Sequence, residues 1–171
     1  MSPRAKQIES FSAHIAIAQE LRLPLFLHER GAHADFIRVL DEICHGDGTS
    51  KTLQCNAVVH CFTGTRNELR EYLRRGFYIG LTGTVAMAKR GQVLRDMLAS
   101  GELPLDRLMV ETDCPYMTPD RGHGLLMRDG RNEPATLRIT VEEISKALGV
   151  SYEKVALATT ENAIKFFGLE K

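Results

Sequence analysis

The sequence predicts an α/β fold in which short parallel strands are covered by amphipathic helices. Two observations lead there. Four apolar runs, at residues 24–28, 57–60, 77–81 and 107–111, are separated by stretches of helical periodicity, the pattern of buried parallel strands. Three of these runs end on or just before a potential metal ligand. His28 follows Pro24-Leu25-Phe26-Leu27, His60 follows Ala57-Val58-Val59, and Asp113 follows Leu108-Met109-Val110-Glu111-Thr112. In parallel α/β folds the chemistry sits beyond the carboxyl ends of the strands. Ligands far apart in sequence are therefore expected to converge.

The elements follow in order. Residues 7–22 are predicted as a helix, with Ile8, Phe11, Ile15, Ala18 and Leu21 on one stripe. It leads into the strand at 24–28. A second helix over 33–44 is expected to bury Phe36, Ile37, Leu40 and Ile43. Residues 46–51 are polar and glycine-containing, the expected site of the most mobile surface loop. After the strand at 57–60 comes a helix over 66–75, ended by Gly76. A strand at 77–81, a helix at 93–100 and a strand at 107–111 follow. Residues 114–133 form a long loop bearing proline and glycine. In the next helix Leu137, Val141, Ile144 and Leu148 recur at helical spacing, and Gly149 stops it. Ser151 is the expected N-cap of the last helix; Lys154 at N3 rules out a full capping box. Its apolar face uses Val155, Ala158, Ala163 and Phe166. Four parallel strands cannot close a barrel and leave open edges, so the architecture is expected to be incomplete at its start.

The chain of 171 residues suits a single domain over 1–171. It falls below the roughly 200 residues at the lower end for a complete eight-stranded α/β barrel. No apolar run approaches the roughly 18 to 20 residues that cross a membrane, and the opening residues lack the apolar core of a secretory signal. Cys44, Cys55, Cys61 and Cys114 form no C-x-x-C pair and are expected as reduced thiols in a cytoplasmic or nuclear setting. Cys61 and Cys114 each directly follow a proposed ligand. In a strand the next side chain faces the other way, so both are expected to pack rather than ligate. The formal charge is zero, so net charge implies no polyanion partner. Locally, Arg66, Arg70, Arg74, Arg75, Lys89, Arg90 and Arg95 outnumber Glu68 and Glu71. That stretch could follow a phosphate backbone, but a solvated helix face with Glu71 and Arg75 as an i,i+4 pair is the preferred reading.

His28, His60 and Asp113 are each ambiguous alone; their shared placement at strand ends is what a common metal site requires. Imidazole and carboxylate together suit zinc, manganese, cobalt or iron better than calcium. A metal so held lowers the pKa of bound water to about 7 and supplies hydroxide at neutral pH. Asp113 could ligate and could also take a proton from the attacking water.

The flanking residues carry a family resemblance. Leu23-Pro-Leu-Phe-Leu-His28-Glu-Arg30, Val58-Val-His60-Cys-Phe-Thr-Gly64, Phe77-Tyr-Ile-Gly-Leu-Thr-Gly83 and Glu111-Thr-Asp113-Cys-Pro-Tyr-Met-Thr-Pro119 resemble the motifs of the TatD family of metal-dependent deoxyribonucleases. Arg131-Asn132-Glu133-Pro134 and Thr160-Glu161-Asn162-Ala163 continue the likeness, in order, from about Gln7 to the end. The resemblance implies a (β/α) TIM-type barrel, incomplete here, with two divalent metals (Mg, Mn or Zn) and hydrolysis of DNA phosphodiesters by metal-bound hydroxide. DNA is the implied partner, with no small-molecule cofactor and no membrane. His28 and His60 match histidines holding one metal. Asp113 matches the aspartate that binds the other and orients the nucleophile. Arg131 and Asn132 match a late-loop pattern near the substrate, and Arg30 is a further candidate phosphate contact. The family's first-strand His-x-His pair and bridging Glu have no counterpart, since the one histidine before His28 is His14, within the first predicted helix. A fragment of a longer enzyme and a naturally short, catalytically impaired form are both compatible with this. Either is expected to show reduced stability or self-association. Two further readings are a module that binds DNA or a partner without turnover, and an amidohydrolase acting on a substrate other than nucleic acid.

Overall fold

Helix and strand alternate along the chain as the apolar pattern predicts. The computed structural model describes residues 2–45, 56–120 and 130–169; the loop expected at 46–51 and the middle of the 114–133 loop lie outside them. The chain divides into two compact units, Met1–Val58 and Val59–Lys171.

In the first unit, α1 (Arg4–Leu21) packs on α2 (His33–His45). Phe11 of α1 stacks on Phe36 of α2 with ring centroids 5.0 Å apart. Helix α1 begins three residues before the predicted start. Arg4, Ala5 and Lys6 are good helix formers that need no buried face, so apolar periodicity does not announce this first turn. The helix ends where Arg22 turns left-handed and its N–H reaches back to the carbonyls of Ala18 and Gln19. Strand β1 (Leu25–His28) alternates: Leu25 and Leu27 are buried, Phe26 and His28 exposed. This differs from the expected strand buried on both faces. The Leu25 N–H donates to the Asn56 carbonyl at 2.8 Å, just ahead of β2 (Ala57–His60).

The second unit takes over within β2, which carries the boundary between the units. There β2 neighbours β3 (Tyr78–Leu81), and β3 neighbours β4 (Leu108–Val110). Strands β3 and β4 are parallel, with Ile79 beside Leu108, Gly80 beside Met109 and Leu81 beside Val110. Helices α3 (Arg66–Arg74), α4 (Gln92–Ala99), α5 (Leu137–Leu148) and α6 (Tyr152–Phe167) complete the unit. Its core is built from Leu69, Tyr72, Ile79, Leu81, Met97, Leu98, Leu108, Ile139 and Ile144. Burying such side chains contributes roughly 1.5 to 3 kcal/mol each before entropy is counted. Thr65 and Glu68 cap α3 reciprocally, a full capping box. Ser151 caps α6 by accepting from the Lys154 N–H at 3.2 Å, as predicted. Strand β4 is shorter than the predicted run because Arg107 belongs to a preceding 3₁₀ turn, Leu105–Arg107. Asn162 of α6 donates to the carbonyls of Leu105 and Leu108, at 2.9 and 2.8 Å, and so ties the last helix to the start of β4.

Two features set up the ends of these strands. A buried 3₁₀ turn, Gly83–Ala86, follows β3. Gly83 is needed there, since a Cβ would lie 2.2 Å from the Met117 carbonyl oxygen, closer than any side chain tolerates. Arg95 clasps that turn and the residues after it by donating to the carbonyls of Val85, Met87 and Ala88. Among the described residues, no helix is long and apolar enough to cross a membrane.

Candidate metal centre

The site is built where β2 and β4 end. His60 is the last residue of β2, and its imidazole is nearly buried. Asp113 lies just past β4. Its carboxylate Oδ1 stands 3.8 Å from His60 Nε2. At that distance a shared ion fits between the two groups better than a direct hydrogen bond.

The backbone at this point is not extended. Cys61 and Asp113 both adopt the left-handed conformation, with φ of 49° and 52°, a region that residues other than glycine seldom visit. Strand alternation therefore stops at His60. The Cys61 thiol does not swing to the opposite face, as alternation required. Instead His60, Cys61 and Asp113 offer ligand atoms that all lie within 4.8 Å of one another. Cys61 is buried as expected, with Sγ 3.8 Å from Thr82 Oγ1, yet it borders the site. Cys114, expected to pack, is exposed; the chain has left the sheet before reaching it.

Glu111 is the residue that the sequence reading missed. One carboxylate oxygen, Oε2, lies 2.8 Å from His60 Nδ1, and the other accepts the Cys61 N–H at 2.6 Å. It thus fixes the histidine and the left-handed turn after it. Gly80, next door on β3, leaves the room: a Cβ there would lie 2.5 Å from Glu111 Oε1. The available signal was an acidic residue closing an otherwise apolar run, two positions before the aspartate.

The remaining predicted residues fall in different places. Asn132 is buried at 5% exposure. Its amide group donates to the carbonyls of Thr112 and Tyr116, at 2.8 and 2.7 Å. Its Oδ1 accepts from the Glu133 N–H and the Thr136 hydroxyl. Asn132 thus braces the loop that carries Asp113. Arg131 beside it is exposed. In the first unit, His28 is the exposed last residue of β1, and Arg30 is exposed two positions on. Of the three expected ligands, the second unit brings His60 and Asp113 together.

The basic stretch resolves toward the solvated-face reading. Arg66 and Arg70 both pair with Glu102, while Arg74 and Arg75 both pair with Glu71. Arg95 is spent on backbone carbonyls. Lys89 and Arg90 are exposed.

Against known proteins, residues 1–168 match the model of the TatD-related DNase family. The chain belongs to this family. It is 40% identical over 168 residues to a 3'-5' ssDNA/RNA exonuclease TatD of Citrobacter rodentium, covering 98% of this chain and 60% of that protein. It is 37% identical to the metal-dependent hydrolase YcfH of Escherichia coli, covering 98% of this chain and 57% of the relative. The chain thus spans about 60% of the length of these curated relatives. Among solved structures it is similar to a TatD-family hydrolase from Entamoeba histolytica, with a TM-score of 0.78 at 24% identity, covering 97% of this chain and 58% of the other. An amidohydrolase from Saccharomyces cerevisiae gives a TM-score of 0.80 at 21% identity, covering 97% and 60%. With the parallel strands, these likenesses support a TIM-type α/β fold. The donor set also fits the metal dependence of the family. An imidazole nitrogen, a carboxylate oxygen and a neighbouring thiol suit a divalent ion such as zinc, and do not form the all-oxygen cage that calcium takes.

Proposed function

We propose that this chain carries a divalent-metal-dependent phosphodiesterase site acting on nucleic acid, DNA or RNA, with single strands the favoured form. The observation that carries the reading is the approach of His60 Nε2 and Asp113 Oδ1 at the ends of two strands. The exonuclease name of the relatives supports the substrate class. In this reading the described strands belong to a (β/α) barrel, and His28 at the end of β1 is a further candidate ligand. The exposed thiol of Cys114, outside any disulfide, supports a reducing, cytoplasmic setting.

A bound divalent ion would supply Lewis acidity, activating water and neutralising phosphate charge. The chain's own residues do the rest. His60 and Asp113 would hold the ion, and the Asp113 carboxylate is placed to take a proton from an attacking water. Arg30 and Arg131 present planar, permanently charged guanidinium groups suited to phosphate oxygens. Asn132 keeps the Asp113 loop in place from behind.

Hydrolysis of short single- and double-stranded DNA and of RNA, with added Mg²⁺, Mn²⁺ or Zn²⁺, tests the proposal. Cleavage abolished by EDTA and reduced at least about a hundredfold in Asp113→Asn is expected, the contribution of a positioned base. Folded protein that binds nucleic acid without cleaving it would replace this reading with that of a binding module.

A further inference from the structure

We infer that Glu111 is the positioning residue that sets the tautomer of His60, and that Gly80 makes this possible. The inference rests on the metal-site reading above. A carboxylate only accepts hydrogen bonds, so the 2.8 Å contact between Glu111 Oε2 and His60 Nδ1 places the imidazole proton on Nδ1. In the neutral ring the lone pair then sits on Nε2, the nitrogen that faces Asp113 at 3.8 Å. Imidazole in water favours the opposite tautomer, with the proton on Nε2, which cannot ligate through that nitrogen. Glu111 reverses the preference.

Its second oxygen is committed as well. The Cys61 N–H donates to Oε1 at 2.6 Å, and a largely buried backbone donor needs such an acceptor. One carboxylate therefore serves two donors at once, one for orienting the ligand and one for holding the left-handed turn that brings Cys61 to the site. Gly80 lies directly beneath. A Cβ at this position would stand 2.5 Å from Glu111 Oε1 and 3.4 Å from the His60 Cα. The backbone atom leaves the histidine little room, and the side chain of Glu111 is what must move. Partners of this kind, carboxylates behind a ligating histidine, fix ring orientation and raise ligand basicity.

The arrangement makes Glu111→Gln an informative substitution. A glutamine has one oxygen and one NH₂ where the carboxylate had two acceptors. The oxygen is claimed by the Cys61 N–H, so the NH₂ turns toward His60 Nδ1, which must then accept, and the imidazole proton moves to Nε2. The experiment records the side-chain ¹⁵N spectrum of His60 in the metal-free full chain, assigned by its loss in His60→Ala. It is paired with Zn²⁺ titration by calorimetry and a thermal melt of every variant. The wild type is expected to hold the Nδ1–H tautomer and Glu111→Gln the Nε2–H tautomer, with Zn²⁺ affinity about 10- to 100-fold weaker. Gly80→Ala keeps the carboxylate but displaces it, and is expected to lose the Nδ1–H preference too. An Nε2–H tautomer in the wild type overturns the inference, whether or not the variants fold. So does a Glu111→Gln protein that folds and keeps both the wild-type tautomer and the wild-type affinity. A wild type that holds the Nδ1–H tautomer, loses it in Glu111→Gln and yet binds no Zn²⁺ supports the role of Glu111 and overturns the metal-site reading instead.

Discussion

Asn132 places its whole side chain in the service of the loop after β4, with two donors on the Thr112 and Tyr116 carbonyls and one oxygen shared by two further groups. Asn132→Ala strips both carbonyls of a buried partner and is expected to cost roughly 1 to 3 kcal/mol. Asn132→Asp is expected to be worse, because it turns an anion toward two carbonyl oxygens. Urea unfolding of the two variants gives the order; equal stability of Asn132→Asp and wild type would remove the brace. At this scale the sequence was a partial guide. His60 and Asp113 were legible because strand ends collect ligands in parallel folds. Cys61 and Glu111 were not, since their roles depend on left-handed turns at Cys61 and Asp113 that no apolar periodicity announces. Asn132 was legible as a marked residue but not as a buried one, because burial is decided by what the loop folds against.

Among the elements, α3 is the clearest case of local sequence setting local structure. Thr65→Ala removes the acceptor for the Glu68 N–H and is expected to destabilise the protein by about 1 kcal/mol, while Thr65→Ser stays close to wild type. Denaturation midpoints of the pair would separate the cap from a packing effect. In the first unit, α1 and α2 are joined by Arg4, whose Nε donates to Asp35 Oδ2 at 2.7 Å. The Arg4 hydrogen bond holds the Asp35 carboxyl below its ordinary 3.8, with Arg38 adding a smaller push in the same direction. A depressed carboxyl contributes stability that is complete above its unfolded pKa and lost as pH falls through the lowered folded value. The link is therefore expected to hold unchanged from neutral pH down to about 4 and to fail only in stronger acid. NMR titration of Asp35 in Arg4→Ala should show its pKa rising toward the ordinary value; an unmoved value would discard the link. The order of helices and strands was readable because apolar spacing encodes it. The short length of β4 was not, since the turn at Leu105–Arg107 uses the same apolar residues as a strand would. Nor was the one-sided exposure of β1, where Phe26 stands open on a strand whose sequence reads as apolar throughout.

Across the whole molecule, charge pairing decides how nucleic acid would be held. The formal net charge is zero, and most of the arginine-rich stretch that could have tracked a phosphate backbone is tied up internally, while Lys89 and Arg90 stay exposed. Four of its arginines sit on Glu102 or Glu71, and Arg95 on three carbonyls. In the proposed reading, binding to a single strand rests on few ionic contacts, with the exposed Arg30 and Arg131 as the candidates. Each neutralised phosphate changes the slope of log K against log salt by about −0.7, so two contacts give about −1.4. Recruiting the entire basic stretch would steepen this beyond about −4. The expected result, from fluorescence anisotropy of a labelled oligonucleotide across a salt series, is a shallow slope that loses about 0.7 in magnitude in Arg131→Ala. The Arg66→Ala and Arg70→Ala proteins should match wild type in slope, because those side chains already neutralise Glu102. A steep slope sensitive to Arg66 and Arg70 would mean that α3 gives up its internal pairs to the ligand. The affinity would then come from a broad basic surface rather than from a few exposed arginines.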